Sequence, residues 1–248
     1  LTESGFNHTR TDGFSNKRHM LKGNVVKRQK KNASNTKVAV IGSGIAGCTL
    51  SHTLAKKGIE VDLYEKSDNI CSGASSHELL VTYPRLSAHD TAFGAFTLQS
   101  YIFAINFYKS LKTKAWKKTG VIILNHDAAS EKRQSSLLLK RSDGEIYRFI
   151  SPDEASEISG LDIKFNGLLY EDAGYILPKE MCKLLLKSPK INLFTSSQIK
   201  NITRNREMIN LSIEKKEFEY KNVCVCTGSD TSKILDLDGI SIKRGQVT

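Results

Sequence analysis

Three glycines in the run Gly42-Ser-Gly-Ile-Ala-Gly47 are the residues of this chain whose chemistry is easiest to name. Recognition of a pyrophosphate by backbone makes a separate steric demand on each of them. The first glycine permits a tight turn, the second lets the phosphates approach the main chain, and the third lets a helix pack closely on a strand. A helix that opens at Ile45 and Ala46 then points free amides and the positive end of its dipole at the phosphates. A carboxylate about twenty residues further on would accept bonds from ribose hydroxyls. Glu65 stands at that position, followed by Lys66. The competing reading is a glycine-rich structural turn, and the surrounding elements decide between the two.

Val38-Ala-Val-Ile41 is a short, fully apolar strand of the kind buried in a parallel sheet. From Ile45 to Lys57 the apolar residues Ile45, Ala46, Leu50 and Leu54 recur at helical spacing, and Gly58 offers a C-terminal cap. A second strand follows at Glu60-Val-Asp-Leu-Tyr-Glu65. Strand, glycine turn, helix and strand are therefore present in order, which favours a dinucleotide cradle over a structural turn. A nicotinamide domain usually continues directly into further strand–helix units. Here the chain enters a polar loop from Asp68 to Ser76, and more than a hundred mixed residues pass before the apolar strand Val223-Cys-Val-Cys226 ends in Thr227-Gly228. That layout predicts an α/β fold: a Rossmann-like FAD-binding domain of the glutathione-reductase type, interrupted by an α+β substrate domain with a mixed or antiparallel sheet. FAD is preferred over NAD.

Between these segments Ser87 and Asp90 have the spacing of a capping box, ahead of a long helix to Leu111. Its Phe93, Phe96, Phe103 and Phe107 form a stripe that is expected to face the core rather than to stack on bases. Val121–Leu124, Glu145–Ile150 and Gly167–Tyr170 read as strands, and Ser151-Pro-Asp-Glu154 starts a helix that Gly160 stops. A short helix begins at Pro178, and Gln198–Thr203, Met208–Ile213 and Asn222–Thr227 are strands. Cys224 and Cys226 share one strand face, where two small core residues are a simpler expectation than a redox or metal pair. His89 and Tyr83 lie near the expected flavin loop, but helix capping and packing account for them, and no catalytic side chain is assigned.

The chain has 248 residues, 39% of them hydrophobic, enough for one large core or two modest ones. Lys and Arg outnumber Asp and Glu by 37 to 26, a net charge of +11 that favours polyanionic partners. Part of that excess lies in Lys27–Lys37, whose lack of apolar periodicity suits a solvated linker. Five cysteines, odd in number and without Cys-x-x-Cys spacing, argue against a disulfide framework or zinc site and fit a reducing compartment. No apolar run reaches the roughly 18 residues of a membrane span, so a cytoplasmic protein with no membrane and no metal is expected. The first residue is Leu1, and the last ones read as a strand just begun, so a fragment is expected.

With these residues in view, the chain resembles the FAD-dependent amine oxidoreductase superfamily of D-amino-acid and glycine oxidases. Within it, the chain is most similar to the bifunctional tRNA 5-methylaminomethyl-2-thiouridine biosynthesis family. The stretches that carry the resemblance are Gly73-Ala-Ser75, Tyr83-Pro-Arg-Leu-Ser87, His89-Asp90, Phe107-Tyr108, Gly167-Leu-Leu-Tyr170, Ala173-Gly-Tyr-Ile-Leu-Pro178, Val225-Cys-Thr-Gly228 and Arg244-Gly-Gln-Val247. Gly5-Phe6, Gly13-Phe14 and Lys17-Arg-His-Met20 look like closing strands of the methyltransferase domain that precedes the flavin domain in that family.

The resemblance implies a domain map: residues 1–25 as a methyltransferase tail, 26–37 as a basic linker, and 38–248 as an incomplete oxidoreductase domain. Within the last, residues 38–90 and 191–235 would bind FAD, and 112–190 with 241–248 would form the substrate domain. The implied cofactor residues are Gly42, Gly44, Ile45, Ala46, Gly47, Glu65, Lys66, Ala74, Ser75, Thr227 and Gly228. The implied reaction is oxidative removal of the carboxymethyl group from 5-carboxymethylaminomethyl-2-thiouridine in tRNA. Methylation from S-adenosylmethionine would fall to the absent domain. tRNA is the expected partner, and a monomer the expected state. Where the family has a Gly-Asn-Arg-Gln-Gly-like run, this sequence has Ser76-His-Glu-Leu-Leu80, which leaves a non-catalytic tRNA-binding role as one alternative. Oxidation of glycine- or sarcosine-like small amines is the other.

Overall fold

The computed structural model describes residues 6–12, 18–25, 37–84, 86, 91–140, 146–237 and 242. An antiparallel hairpin of β1 (Phe6–Asp12) and β2 (His19–Val25) comes first, with Phe6 opposite Val25 and Asp12 opposite His19. The basic run up to residue 36, the capping pair Ser87 and Asp90, His89 and residues 244–247 lie outside the described residues.

The cradle elements are β3 (Val38–Ile41), α1 (Ile45–Lys56) and β4 (Val61–Tyr64). They are followed by β5 (Leu80–Thr82), the long α2 (Ala92–Leu111), β6 (Trp116–Lys118) and β7 (Val121–Leu124). Next come α3 (Ala128–Lys140), β8 (Arg148–Ile150), α4 (Pro152–Ser159), β9 (Gly167–Tyr170), β10 (Gly174–Ile176) and α5 (Pro178–Leu185). The chain then forms β11 (Ile191–Phe194), β12 (Asn201–Asn205), β13 (Met208–Ile213), β14 (Lys216–Tyr220), β15 (Asn222–Val225) and α6 (Thr231–Leu235).

Four strands form a parallel sheet in the order β11-β4-β3-β15. The late strand β15 thus returns beside β3, as the interrupted layout of the sequence predicts. Successive side chains of a strand point to opposite faces, and both faces of this sheet are covered. Val38, Val40, Val61, Leu63, Cys224 and Cys226 pack toward α1, α5 and the end of α2, with Met181, Cys182 and Leu185. Ala39, Ile41, Tyr64, Val223 and Val225 pack on the other face against Ile199, Leu211 and Tyr220 around the β12-β13-β14 meander. Cys224 and Cys226 are half-buried and pack against the edge of that core rather than inside it. A buried polar knot ties the meander to the sheet: Tyr220 donates to Asp62 at 2.6 Å and lies 2.6 Å from the Tyr64 hydroxyl.

A second antiparallel sheet, β7-β9-β8, carries Leu168 and Tyr170 toward α2 and α3, where Tyr101, Ile105 and Leu137 meet them. Leu169 points the other way, toward Ala155 of α4. A third, β5-β10-β6, is also antiparallel. The fold is α/β with parallel and antiparallel sheets. Among the described residues no helix is long and apolar enough to cross a membrane.

Two expectations need correction. Helix α2 starts at Ala92, and Thr91 is its cap, its hydroxyl accepting from the Gly94 amide at 3.0 Å. The aromatic stripe is not a core face: Phe93, Phe96 and Phe103 are 61%, 69% and 64% exposed, and of the four only Phe107 packs against the core. The inward face is Leu98, Tyr101 and Ile105 instead. Both faces of α2 are apolar, so helical spacing alone does not choose between them. Helix α3 leaves no helical signature in the sequence, because Ser, Lys and Glu dominate its first turns and blur the apolar period. Two buried polar residues, Ser130 and Gln134, lie on it, and Gln134 ties it to β7 by donating to the Ile123 carbonyl at 2.9 Å.

Candidate cofactor-binding site

The three glycines sit where β3 hands over to α1, and the structure shows why each lacks a side chain. Gly42 has φ of +99°, and a Cβ there would lie 2.5 Å from the carbonyl oxygen of Cys226, just past the end of the adjoining strand β15. A Cβ on Gly47 would overlap the Gly42 carbonyl oxygen, so the helix can approach the strand only without one. At Gly44 the constraint comes from another loop, since a Cβ would stand 3.2 Å from Ser75 Oγ.

Gly44 caps α1 with no side-chain acceptor. The amides of Ile45, Ala46 and Gly47 open the helix and therefore have no acceptor inside it. Ser75, in the single turn Ala74–Ser76, accepts from the Ile45 amide at 3.1 Å. A hydroxyl that accepts from an amide still has its own proton to donate. The helix end thus offers backbone amides and one hydroxyl proton to an anion.

Glu65 is 5% exposed, and its carboxylate is enclosed by protein donors. The Ser43 amide and hydroxyl donate to Oε2 at 2.9 and 2.6 Å. The Ser67 amide and the Ser72 hydroxyl donate to Oε1, both at 3.0 Å. Burial would raise its pKa, but the bonds from Ser43, Ser67 and Ser72 outweigh it and hold the carboxyl below its ordinary range. Four donors fill the acceptor sites of a carboxylate. Glu65 therefore staples the glycine turn to the polar loop that follows β4.

Ser43 and Ser72 were not singled out by sequence. Ser43 is the variable position of the glycine motif, and the only signal for its role is proximity in space to Glu65. Ser43 has a second use. Its carbonyl accepts from Cys48 Sγ at 3.3 Å and from Cys71 Sγ at 3.8 Å, beneath the turn. Hydrogen bonding to Cys182 and burial push the Cys71 thiol far above its ordinary range, so it stays protonated and inert.

Gly42, Gly44, Ile45, Ala46, Gly47, Ala74 and Ser75 are thus brought together around the start of α1. Thr227 and Gly228 close the far side, Thr227 Cα lying 3.3 Å from where a Gly42 Cβ would be. The Thr227 hydroxyl lies 3.0 Å from that of Thr231. Lys66 differs: its ammonium pairs with Asp230 at 2.7 Å and bridges the two chain segments. Tyr83 is 47% exposed and tilts against Tyr170 at 6.5 Å between ring centroids. Among the described residues no group of three His, Cys, Asp or Glu side chains is arranged to hold a metal ion.

The tight turn, the close helix–strand contact and the free amides fit the pyrophosphate of a dinucleotide. The saturated Glu65 fits a ribose only if one of its serine donors moves aside.

Comparison with known proteins agrees with this geometry. Residues 37–248 match the model of the family described as FAD dependent oxidoreductase. The whole chain is similar to the tRNA 5-methylaminomethyl-2-thiouridine biosynthesis bifunctional protein MnmC of Legionella pneumophila (strain Corby), at 27% identity and over 40% of that protein. The protein of the same name from Nitrosospira multiformis is 29% identical over the whole chain, which covers 42% of it. The chain thus spans about two fifths of the length of the curated relatives it matches. In fold, the glycine oxidase of Bacillus cereus ATCC 14579 superposes with a TM-score of 0.66 at 18% identity, over 81% of this chain and 57% of that one. By its sequence and its cradle, the chain belongs to the FAD-dependent oxidoreductase family.

Proposed function

We propose that the chain binds FAD at the start of α1 and catalyses oxidative removal of the carboxymethyl group from 5-carboxymethylaminomethyl-2-thiouridine in tRNA, acting in the cytoplasm. The observation that carries this reading is similarity along the entire chain to bifunctional proteins named for biosynthesis of 5-methylaminomethyl-2-thiouridine in tRNA, together with a cradle whose glycines are sterically required. In a longer protein, methylation of the resulting amine from S-adenosylmethionine would belong to a separate domain.

Gly42, Gly44, Ile45, Ala46, Gly47 and Ser75 would hold the pyrophosphate, with Thr227 and Gly228 bordering it. Glu65 would hold the turn in shape and meet the ribose, and Lys66 with Asp230 would tie the late strand to the cradle. When bound, FAD supplies a hydride acceptor for a carbon beside an amine. The chain's own part is to fix the dinucleotide's phosphates by preorganised amides and to keep water from the buried side of the turn.

The test uses the chain reconstituted with FAD and tRNA that carries the carboxymethylated nucleoside. Nucleoside mass spectrometry should show that nucleoside disappearing and its 5-aminomethyl counterpart forming. Peroxide release from glycine or sarcosine, with modified tRNA unchanged, would support the small-amine reading instead. Colourless protein that resists reconstitution yet binds tRNA would support a non-catalytic role. Gly44→Asp places a carboxylate against the phosphates and should abolish the flavin absorption spectrum; a variant as yellow as wild type would displace the cofactor from this site.

A further inference from the structure

We infer that the lysine strip running from the end of α2 into β6 is the surface that docks the tRNA phosphate backbone. The inference rests on the proposed tRNA substrate and adds the place where that substrate is held. Lys109, Lys112, Lys114, Lys117 and Lys118 lie within ten residues that contain no Asp or Glu. All five are exposed.

Only Asp172 reaches any of them among the described residues, at 3.2 Å from Lys109 and 2.7 Å from Lys118. Lys112, Lys114 and Lys117 have no carboxylate within ion-pair distance among the described residues. The lysines of the meander and of α3 are diluted by neighbouring acids. In the meander Lys215 and Lys216 stand between Glu214 and Glu217, and in α3 Lys132 follows Glu131.

A solvated helix end is the simpler explanation to weigh. The C-terminus of α2 carries a partial negative charge that one or two cations would complement, which accounts for Lys109 and Lys112. It does not account for Lys114 and Lys117, which follow the helix; on β6, Lys117 stands beside Tyr175, while Lys118 alternates to the opposite face and pairs with Asp172. Their backbone is fixed from beneath: Ala115 is buried, its carbonyl accepts from the Leu177 amide at 2.8 Å, and Trp116 packs into the core. A rigid floor that presents unpaired cations loses little entropy on meeting an anion.

The outer face of the β5-β10-β6 sheet continues the strip. Val81, Tyr175 and Lys117 stand in one cross-strand row, with the Lys117 ammonium 6.0 Å from the Tyr175 ring centroid. Cations interleaved with an aromatic side chain suit a polynucleotide: its phosphates need unpaired positive charge, and unpaired bases stack on rings.

The experiment measures binding of an unmodified tRNA transcript to the FAD-reconstituted chain by fluorescence anisotropy from 50 to 200 mM salt. Wild type is compared with the combined Lys112→Gln, Lys114→Gln, Lys117→Gln variant. Each lost phosphate contact removes a little under one unit from the slope of log affinity against log salt. The triple variant should bind at least about tenfold more weakly, with a slope flatter by roughly two to three. KM for modified tRNA should rise, while kcat, the flavin spectrum and the thermal midpoint stay at wild-type values. A second variant, Lys200→Gln, Lys215→Gln, Lys216→Gln, removes equal charge from the meander side and should leave the slope unchanged. Wild-type affinity and slope in the first variant, or an equal loss in the second, overturns the docking surface and leaves the proposed reaction standing. Wild-type chain that fails to bind tRNA at all overturns the tRNA substrate itself, and the surface falls with it.

Discussion

The amino end of α1 and the carboxyl end of α2 use charge in opposite ways. Beside the first, one carboxylate, Glu65, is buried and answers four protein donors. At the second, three exposed lysines in a row of five answer no carboxylate among the described residues. A group satisfied inside the molecule acts on the fold, and removing it costs stability. A group left unsatisfied at a surface acts on whatever binds there, and removing it costs affinity. The two helix ends should therefore separate cleanly under mutation.

The largest effect is expected at Gly47. Its absent Cβ would overlap the Gly42 carbonyl, backbone against backbone, with no flexible side chain to yield. Gly47→Ala should destabilise the chain by about 4 kcal/mol and abolish flavin binding, because helix and strand must part. Thermal unfolding and the flavin absorption spectrum read both. A stable, yellow Gly47→Ala protein would mean that the helix–strand contact is looser than described. Met181→Ala, beneath the same turn on α5, should cost roughly 3 kcal/mol by opening a cavity in the core.

Glu65 comes next. Glu65→Gln replaces an acceptor for four donors with an amide that brings donors of its own, so roughly 2–3 kcal/mol should be lost. The charge makes the effect pH-dependent. The carboxyl titrates below its ordinary value of 4.5 in the folded chain. A depressed folded value means that the stabilisation is fully present above pH 4.5 and is lost as pH falls through the lower folded value. The gap in unfolding free energy between wild type and Glu65→Gln should therefore be constant from neutral pH to 4.5 and narrow below it. A gap that stays constant through the acid range would show that the charge contributes nothing and that only shape matters.

The difference between the two helix ends also explains what the sequence discloses. The cradle was legible because its parts are local: a fully apolar strand, three glycines with steric tasks, and an acid at the end of the next strand all lie between Val38 and Glu65. The return of β15 to the parallel sheet was legible from layout, since an isolated apolar strand ending in Thr227-Gly228 needs a sheet to join. What Glu65 does with its carboxylate was not legible, because Ser72 and Ser67 reach it only through the path of a polar loop. The burial of α2 was misread for a related reason. Its sequence is apolar on two faces, and only the docking of Tyr101 and Ile105 onto β9 and α3 decides which face is covered. Spacing reports that a helix has faces; packing chooses among them.

That choice yields the smallest effect and the most direct test of the corrected helix. Phe96 and Phe107 belong to the same stripe in the sequence, yet Phe96 is 69% exposed whereas Phe107 packs against the core and stacks with Phe103 at 6.1 Å. An exposed ring has little apolar area to lose on substitution, so Phe96→Ser should change stability by less than about 0.5 kcal/mol. Phe107→Ala should cost about 2–3 kcal/mol, because its removal leaves a gap beside His52 and Tyr108. Chemical denaturation of the two variants side by side measures the asymmetry directly. Equal losses would return Phe96 to the core and reverse the assignment of faces on α2. The asymmetry would confirm that packing, and not the spacing of the aromatic residues, sets which side of α2 is covered.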